Sequence, residues 1–342
     1  MNLALDIFNY ILVAILIGVS ATLIFLIKSM FRTFRETPFL DKFKKNKHET
    51  PKVSIILPAR NEEKFIGDCL DSLLNQDYTN YEIIAINDSS EDSTGKLIKK
   101  YAKKFPKLIS VDARPKPEGW IGKNWACMEG YKKATGDLLL FTDSDTKHAT
   151  PALSLAVSHL LSLELDALTV IPKMLCLDPI TKITLPVISI FLHTRFSALR
   201  VNDVTKNTGY FFGSFYIIKK STYDSVGTHE SVKEELIEDG ALGKKVKELG
   251  FKMRMVDGQH LIDAVWARDY FTLWNALKRL MIPLYLQNAK IAIGSSFAVL
   301  FLLFMPFPLF VYSSIFFNIS ISLSILFVVA TIASILVYVG GI

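Results

Sequence analysis

Two aspartates one residue apart, Asp143 and Asp145, are the side chains of this 342-residue chain best suited to do chemistry. They close the stretch GDLLLFTDSDT, Gly136 to Thr146, directly after the apolar run Leu138–Phe141. That run has strand length and no helical period. Alternate residues of an extended segment point the same way, so both carboxylates are expected to face one ligand at the strand's carboxyl end. Open α/β sheets bind ligands at that edge. Two hard oxygen donors there suit Mg²⁺ or Mn²⁺, and such a cation in turn holds phosphates. About one D-x-D arises by chance in a chain this long, so the position after a strand carries the metal reading.

Other apolar runs also end in polar residues. Val53–Leu57 and Pro58 are followed by Ala59-Arg60-Asn61-Glu62, and Glu82–Ile86 by Asn87-Asp88-Ser89-Ser90. Loops at the strand ends of one sheet converge on one crevice. Asp88 is read as a ligand contact and Ser90 as the N-cap of the helix after it. Lys123 begins a helix and either meets phosphate oxygens there or is a solvated helix-start lysine. Trp120 either stacks on a sugar or lipid or fills the core. For His148 and His229 an ordinary core or surface position outweighs a place in the pocket.

The elements that must position these groups alternate. Strands at 53–57, 82–86, 108–111 and 138–141 are interleaved with helices at 63–74, 90–104 and 123–134. That rhythm predicts an α/β fold with a mostly parallel sheet and right-handed crossovers.

Composition places this domain at a membrane. The chain is 50% hydrophobic with net charge +6, and its apolar residues gather at both ends. Tyr10–Ile27 is uncharged and long enough to span a bilayer; with no charged n-region it is not a cleaved signal peptide. Lys28, Arg32, Arg35, Lys42, Lys44, Lys45 and Lys47 follow, which puts everything after residue 28 on the cytoplasmic side. Ile291–Tyr312, interrupted by Pro306 and Pro308, and Ile319–Val339 are two further spans. The expected division is an anchor at 1–28, a basic linker at 29–50, a soluble domain at 51–258, an interfacial segment at 259–288 and two spans at 289–342. Basic residues flanking apolar segments point to anionic lipid rather than nucleic acid. Cys69, Cys127 and Cys176 show neither zinc nor disulfide spacing.

The runs VSIILPARNEE, IAINDSSEDSTG, GDLLLFTDSDT and ELIEDGALGKKVKELGFKMRM (Glu235 to Met255) resemble, in that order, the family 2 glycosyltransferases of GT-A fold. EGWIGKNWAC (Glu118 to Cys127) and GTHESVKEELIEDGALG (Gly227 to Gly243) are similar to the membrane-anchored branch with the hopanoid-associated and carotenoid-type glycosyltransferases. The resemblance covers about residues 50 to 285. It implies a GT-A domain whose donor nucleotide-sugar is bound by Pro58, Ala59, Arg60, Glu62, Asp88, Lys123, Asp143 and Ser144. Asp145, with Asp143, would hold the divalent metal, and Asp239 would be the general base of an inverting transfer. Trp120, Gly213, Ser214, His229, Glu238 and Arg268 would contact the acceptor or the diphosphate.

Ala264–Leu280 lacks the Q-x-x-R-W of polysaccharide-building members, a departure that argues against processive synthesis. Trp266, Tyr270, Phe271, Trp274 and Leu277 with Lys278 and Arg279 suggest a helix in the membrane interface. Ile180–Arg200 is a second interfacial candidate, with a buried helix of the soluble domain as the alternative. The expected activity is metal-dependent transfer of one sugar from a UDP-sugar to a lipid hydroxyl or phosphate at the cytoplasmic leaflet. Polyprenyl-phosphate sugar transfer and an inactive membrane scaffold of the same fold are the alternatives.

Overall fold

Apolar runs rich in isoleucine, leucine and valine become the strands of a single large sheet. The structure is a computed structural model and describes residues 3–43, 50–179, 181–182, 196–287, 289–317 and 319–341. In chain order the elements are α1 (Leu3–Glu36), β1 (Val53–Ala59), α2 (Ile66–Leu74), β2 (Tyr81–Asn87), α3 (Thr94–Lys104), β3 (Leu108–Asp112), α4 (Gly122–Tyr131) and β4 (Leu138–Phe141). There follow β5 (Thr146–His148), α5 (Ala152–Ser162), β6 (Ala167–Ile171), β7 (Lys173–Cys176), α6 (Ala198–Asn202), β8 (Tyr216–Lys219), α7 (Lys220–Ser225), α8 (Glu238–Glu248), β9 (Met253–Asp257) and β10 (Ile262–Ala267). The last helices are α9 (Tyr270–Gln287), α10 (Ala289–Phe304), α11 (Pro306–Ile315) and α12 (Ile321–Gly341). Two compact units result: Glu36–Leu175 with Ala198–Trp266, and Met1–Arg35 with Cys176–Ser197 and Ala267–Ile342.

The first unit is built on a seven-stranded sheet in the order β3-β2-β1-β4-β8-β6-β9. Pairings within β3-β2-β1-β4 are parallel, and only β8 runs antiparallel to its two neighbours. Strands covered on both faces read as unbroken apolar runs. Ile55, Leu57, Leu138 and Leu140 pack with Leu70, Leu73, Leu153 and Leu160 of α2 and α5. Their neighbours Ile56, Ile84, Leu139 and Phe141 pack with Ala126 of α4 and Leu242 and Val246 of α8. Each such fully buried aliphatic side chain contributes roughly 1.5–3 kcal/mol relative to an exposed one.

Register brings the strand ends together. Ala59 lies opposite Asn87 and Ile56 opposite Phe141, so the loops after β1, β2 and β4 leave the sheet at one edge. At the opposite edge Glu82 accepts hydrogen bonds from Ser54 Oγ (2.6 Å) and Thr135 N (2.8 Å), beside Lys52 at 2.9 Å. Gly136 fits there because a Cβ would lie 2.6 Å from the Lys52 carbonyl oxygen. A small sheet, β5-β10-β7, follows the β4 end, with Thr146 opposite Ala264.

In the second unit, three stretches of helix are long and apolar enough to cross a membrane: Leu3–Glu36, Ser296–Ile315 and Ile321–Val339. Pro306 opens α11, where its missing N–H costs nothing, and this accounts for the expected interruption. Leu12 and Leu16 of α1 pack with Leu309 of α11 and Leu323 and Leu326 of α12. Near the start of α1, Ser322 Oγ donates to Asp6 Oδ1 (2.5 Å) and accepts from Asn9 Nδ2 (3.1 Å). Tyr270, Phe271 and Trp274 of α9 are exposed. Most of the expected interfacial segment Ile180–Arg200 lies outside the described residues.

Candidate active site

The loops after β1 and β2 are tied to each other. Asn61 N donates to Ser90 Oγ (3.2 Å), Glu91 N to Asn61 Oδ1 (2.9 Å) and Glu62 N to Thr94 Oγ1 (2.7 Å). Asn61 and Ser89 take left-handed conformations at φ 56° and 54°, a strain that persists only where surroundings over-determine it. Ser90 therefore corrects its expected role: it receives an amide from the neighbouring loop and caps no helix. The first turn of α3 is served by Asp92, whose Oδ1 accepts from Thr94 N at 2.9 Å.

Asp88 is buried, its backbone N–H donating to the Ala59 carbonyl at 2.9 Å. Its Oδ2 lies 2.9 Å from where a Cβ on Gly122 would be, with an Arg60 nitrogen 3.9 Å from the same point. A glycine at the start of α4 thus leaves room for the carboxylate and the guanidinium to come close to the backbone. Pro58 and Ala59 end β1 as buried residues.

The D-x-D is not extended. Ser144 and Asp145 form a turn that leads into β5, so strand alternation does not set the directions of the two carboxylates. Thr146 Oγ1 closes this turn on the Asp143 carbonyl (2.7 Å), and Val265 N donates to that of Asp145 (3.3 Å). Ser144 is buried. Among the described residues no three His, Cys, Asp or Glu side chains are grouped to hold a metal ion. Two carboxylates still fit a cation that takes its remaining ligands from water and substrate phosphates, as Mg²⁺ commonly does.

Lys123, in the first turn of α4, is the centre of the charge arrangement. Its ammonium lies 2.8 Å from Asp143 Oδ1 and 2.7 Å from Glu238 Oε1. Burial works against its charge, yet Asp143, Glu238 and Asp239 outweigh burial and hold its pKa well above the usual lysine value. Glu238 and Asp239 open α8, where carboxylates complement the helix dipole. Asp239 Oδ1 accepts from Gly240 N at 2.7 Å. Burial and the adjacent Glu238 raise the Asp239 carboxyl to about 7, against the pull of Lys123. A carboxylate of that pKa is basic enough to accept a proton near neutrality.

Gly213 borders all three groups: a Cβ there would lie 2.8 Å from Asp239 Oδ2 and 3.1 Å from both Asp143 Oδ2 and Lys123 Nζ. Ser214 is buried; its carbonyl accepts from Thr142 Oγ1 (2.7 Å), and its own Oγ has no partner among the described residues. The half-exposed aromatics Tyr210 and Phe212, 5.4 Å apart edge to face, precede Gly213. Tyr210 reaches 2.9 Å from the Cβ position of Gly240, beside Asp239.

His229, His148 and Trp120 pack against neighbouring side chains. His229 is fully buried, its Nδ1 paired with the Tyr223 hydroxyl and its ring against Phe141. It packs as a core histidine rather than a pocket wall. His148 is likewise buried between Thr142 and Ser72. Trp120 is half-buried, edge-on to Trp125. Arg268 belongs to the other compact unit. Sequence reasoning passed over Asn124, whose Nδ2 donates to the carbonyls of Val232, Lys233 and Glu235 and so fixes the segment before Asp239. An asparagine inside a helix start gives no signal for such a long-range tether.

A parallel sheet with one reversed strand, and acidic loops gathered at its carboxyl edge, define the class, and comparison with known proteins names the family. The family model "Glycosyl transferase family 2" matches residues 54–227, just over half of the chain. The chain belongs to that family and carries a family 2 glycosyltransferase domain. It is 26% identical over 225 residues to the 4,4'-diaponeurosporenoate glycosyltransferase of Staphylococcus haemolyticus, covering 64% of this chain and 58% of that one. With the probable glycosyltransferase YdaM of Bacillus subtilis it shares 34% identity over 126 residues, 35% of this chain and 29% of the relative. The matched stretches thus span less than two thirds of either relative. Among solved structures, the mannosyltransferase PcManGT from Pyrobaculum calidifontis, in complex with GDP-Man and Mn²⁺, superposes over 96% of this chain and 98% of its own at TM-score 0.59. At 18% identity this likeness concerns the fold.

Proposed function

We propose that the chain transfers one sugar, with inversion, from a UDP-sugar to the hydroxyl of a membrane lipid at the cytoplasmic leaflet, and that it requires Mg²⁺ or Mn²⁺. The observation that carries this reading is the placing of Asp239 Oδ2 at Gly213 beside Asp143 Oδ2 and Lys123 Nζ, where burial and Glu238 raise the Asp239 carboxyl. Asp239 takes the proton of the acceptor hydroxyl as its oxygen bonds to the anomeric carbon, and the bond to the nucleoside diphosphate breaks on the opposite face. Asp88, Glu62 and Arg60, with Pro58, Ala59 and Ser144 around them, hold the nucleotide. Asp145 and Asp143 would hold the divalent cation, which would supply positive charge against the departing diphosphate.

A phosphate acceptor is already ionised and needs no base, so Asp239 favours a hydroxyl over polyprenyl phosphate. Three apolar stretches and the basic Lys28, Arg32 and Arg35 support a multi-pass protein whose catalytic unit faces the cytoplasm. Membranes containing the protein, incubated with radiolabelled UDP-sugars and GDP-mannose, should transfer label to the neutral lipid extract. Label in an acid-labile polyprenyl-phosphate fraction would favour the phosphate acceptor, and label in no lipid would overturn the proposal.

A further inference from the structure

Asp143 belongs to the turn after β4 and Glu238 to α8, 95 positions later, yet one ammonium joins them. Lys123 therefore holds an oxygen of a carboxylate expected to ligate the metal. Asp143 Oδ2 faces the space at Gly213, where Asp239 Oδ2 also points. Three carboxylates share one lysine here, an arrangement that attracts further cations while keeping Asp143 engaged. A nucleoside diphosphate brings at least two negative charges, and an ammonium is a good phosphate partner.

We propose that Lys123 is an exchange lock: its ammonium either pairs with Asp143, as it does here, or moves to the donor diphosphate and frees Asp143 for the metal, so that metal and diphosphate load together. This rests on the metal-dependent, nucleotide-sugar reading above. The two ligands would then bind with a reciprocal coupling beyond that of their direct charge attraction. Part of that coupling would run through a single side chain. Lys123 is on this account a positioning residue, acting on the metal through Asp143.

The test is Mn²⁺ binding, read from the electron paramagnetic resonance signal of free Mn²⁺, to the full chain in detergent micelles without and with UDP or GDP. The wild type should bind Mn²⁺ at least about tenfold more tightly when either nucleotide is present. Lys123→Met should bind Mn²⁺ alone about tenfold more tightly than the wild type, with the nucleotide enhancement reduced. Lys123→Gln retains hydrogen-bond donors without charge, should act in the same direction, and serves if the methionine variant does not fold. Lys123→Arg should keep the wild-type coupling. A general loss of positive charge would strengthen Mn²⁺ binding whether or not Asp143 is present. The lock requires the gain to disappear in the Asp143→Asn background. Unchanged or weaker Mn²⁺ binding by both neutral variants overturns the lock, as does a gain that survives Asp143→Asn. A wild type that binds no Mn²⁺ with either nucleotide overturns the metal reading beneath it.

Discussion

A β-carbon on Gly213 would lie 2.8 Å from Asp239 Oδ2, closer than a methyl group and a carboxylate oxygen can approach. The same carbon would meet Asp143 Oδ2 and Lys123 Nζ at 3.1 Å. Gly213→Ala should therefore displace charged side chains without opening the core. Sugar transfer should fall by about tenfold or more, because a displacement near 1 Å costs on the order of 10²-fold in rate. Thermal unfolding followed by circular dichroism should change little. Near wild-type transfer would mean that these groups are not the reacting ones.

Removing a positioned base costs on the order of 10²- to 10⁴-fold in rate. Asp239→Asn keeps shape and loses basicity, so transfer should collapse by that factor while nucleotide-sugar affinity holds. Glu235→Gln, on the exposed stretch before α8, should be nearly silent. If Asp239→Asn stays within a few-fold of wild type, Glu238 becomes the candidate.

The pH dependence follows from the same carboxyl. A base must be ionised to act, so kcat/KM should rise with pH and level off above an apparent pKa near 7, where burial and Glu238 place Asp239. Lys123 opposes that shift, so Lys123→Met should move this limb to higher pH. Because the folded-state value stands above the ordinary 3.8, ionisation weakens the fold as pH rises through that window. Asp239→Asn should thus raise the unfolding temperature at pH 8 and alter it little at pH 4, a gain in stability accompanying a loss of activity.

Metal dependence is tested by removal. Activity should vanish in EDTA and return with Mn²⁺ or Mg²⁺. Asp145→Ala should weaken donor binding as well as turnover. Full activity in chelator would remove the cation from the mechanism.

Far from these groups, Glu82 ties β1 and β2 to the turn before β4. Burial alone would raise its pKa, but hydrogen bonds from Ser54, Thr135 and Lys52 outweigh it and lower the value to about 2. A depressed carboxyl stabilises the fold above its ordinary value of 4.5 and loses that contribution as pH falls toward 2. Glu82→Gln leaves buried donors poorly matched, a cost of roughly 1–3 kcal/mol. Thermal scans between pH 7 and 3 should show the wild type losing stability that the variant already lacks. Parallel curves would refute it.

The sheet was legible because its strands are buried on both faces: the fourth is read at Leu138–Phe141 and found there. Helix starts were less so. α2 begins at Ile66 and α3 at Thr94 rather than at 63 and 90, because turns and side-chain ties occupy the first residues. The strand β5, three residues long, gives no periodic signal. At the site, residue types were readable but partners were not. That Lys123 pairs with Asp143 and Glu238 depends on packing α4 and α8 against one sheet face, a long-range fact with no trace in local spacing.

The contact of Asp6 and Asn9 with Ser322 joins residues 316 and 313 positions apart. A ribosome making this chain completes the first helix long before the last is available. During that interval the half-buried Asp6 and the buried Asn9 are without their hydroxyl partner, and a buried amide left unpaired is costly. Truncation before residue 320 removes that partner while leaving the whole catalytic unit, so pulse-chase labelling should show the shortened chain lost faster than the full one.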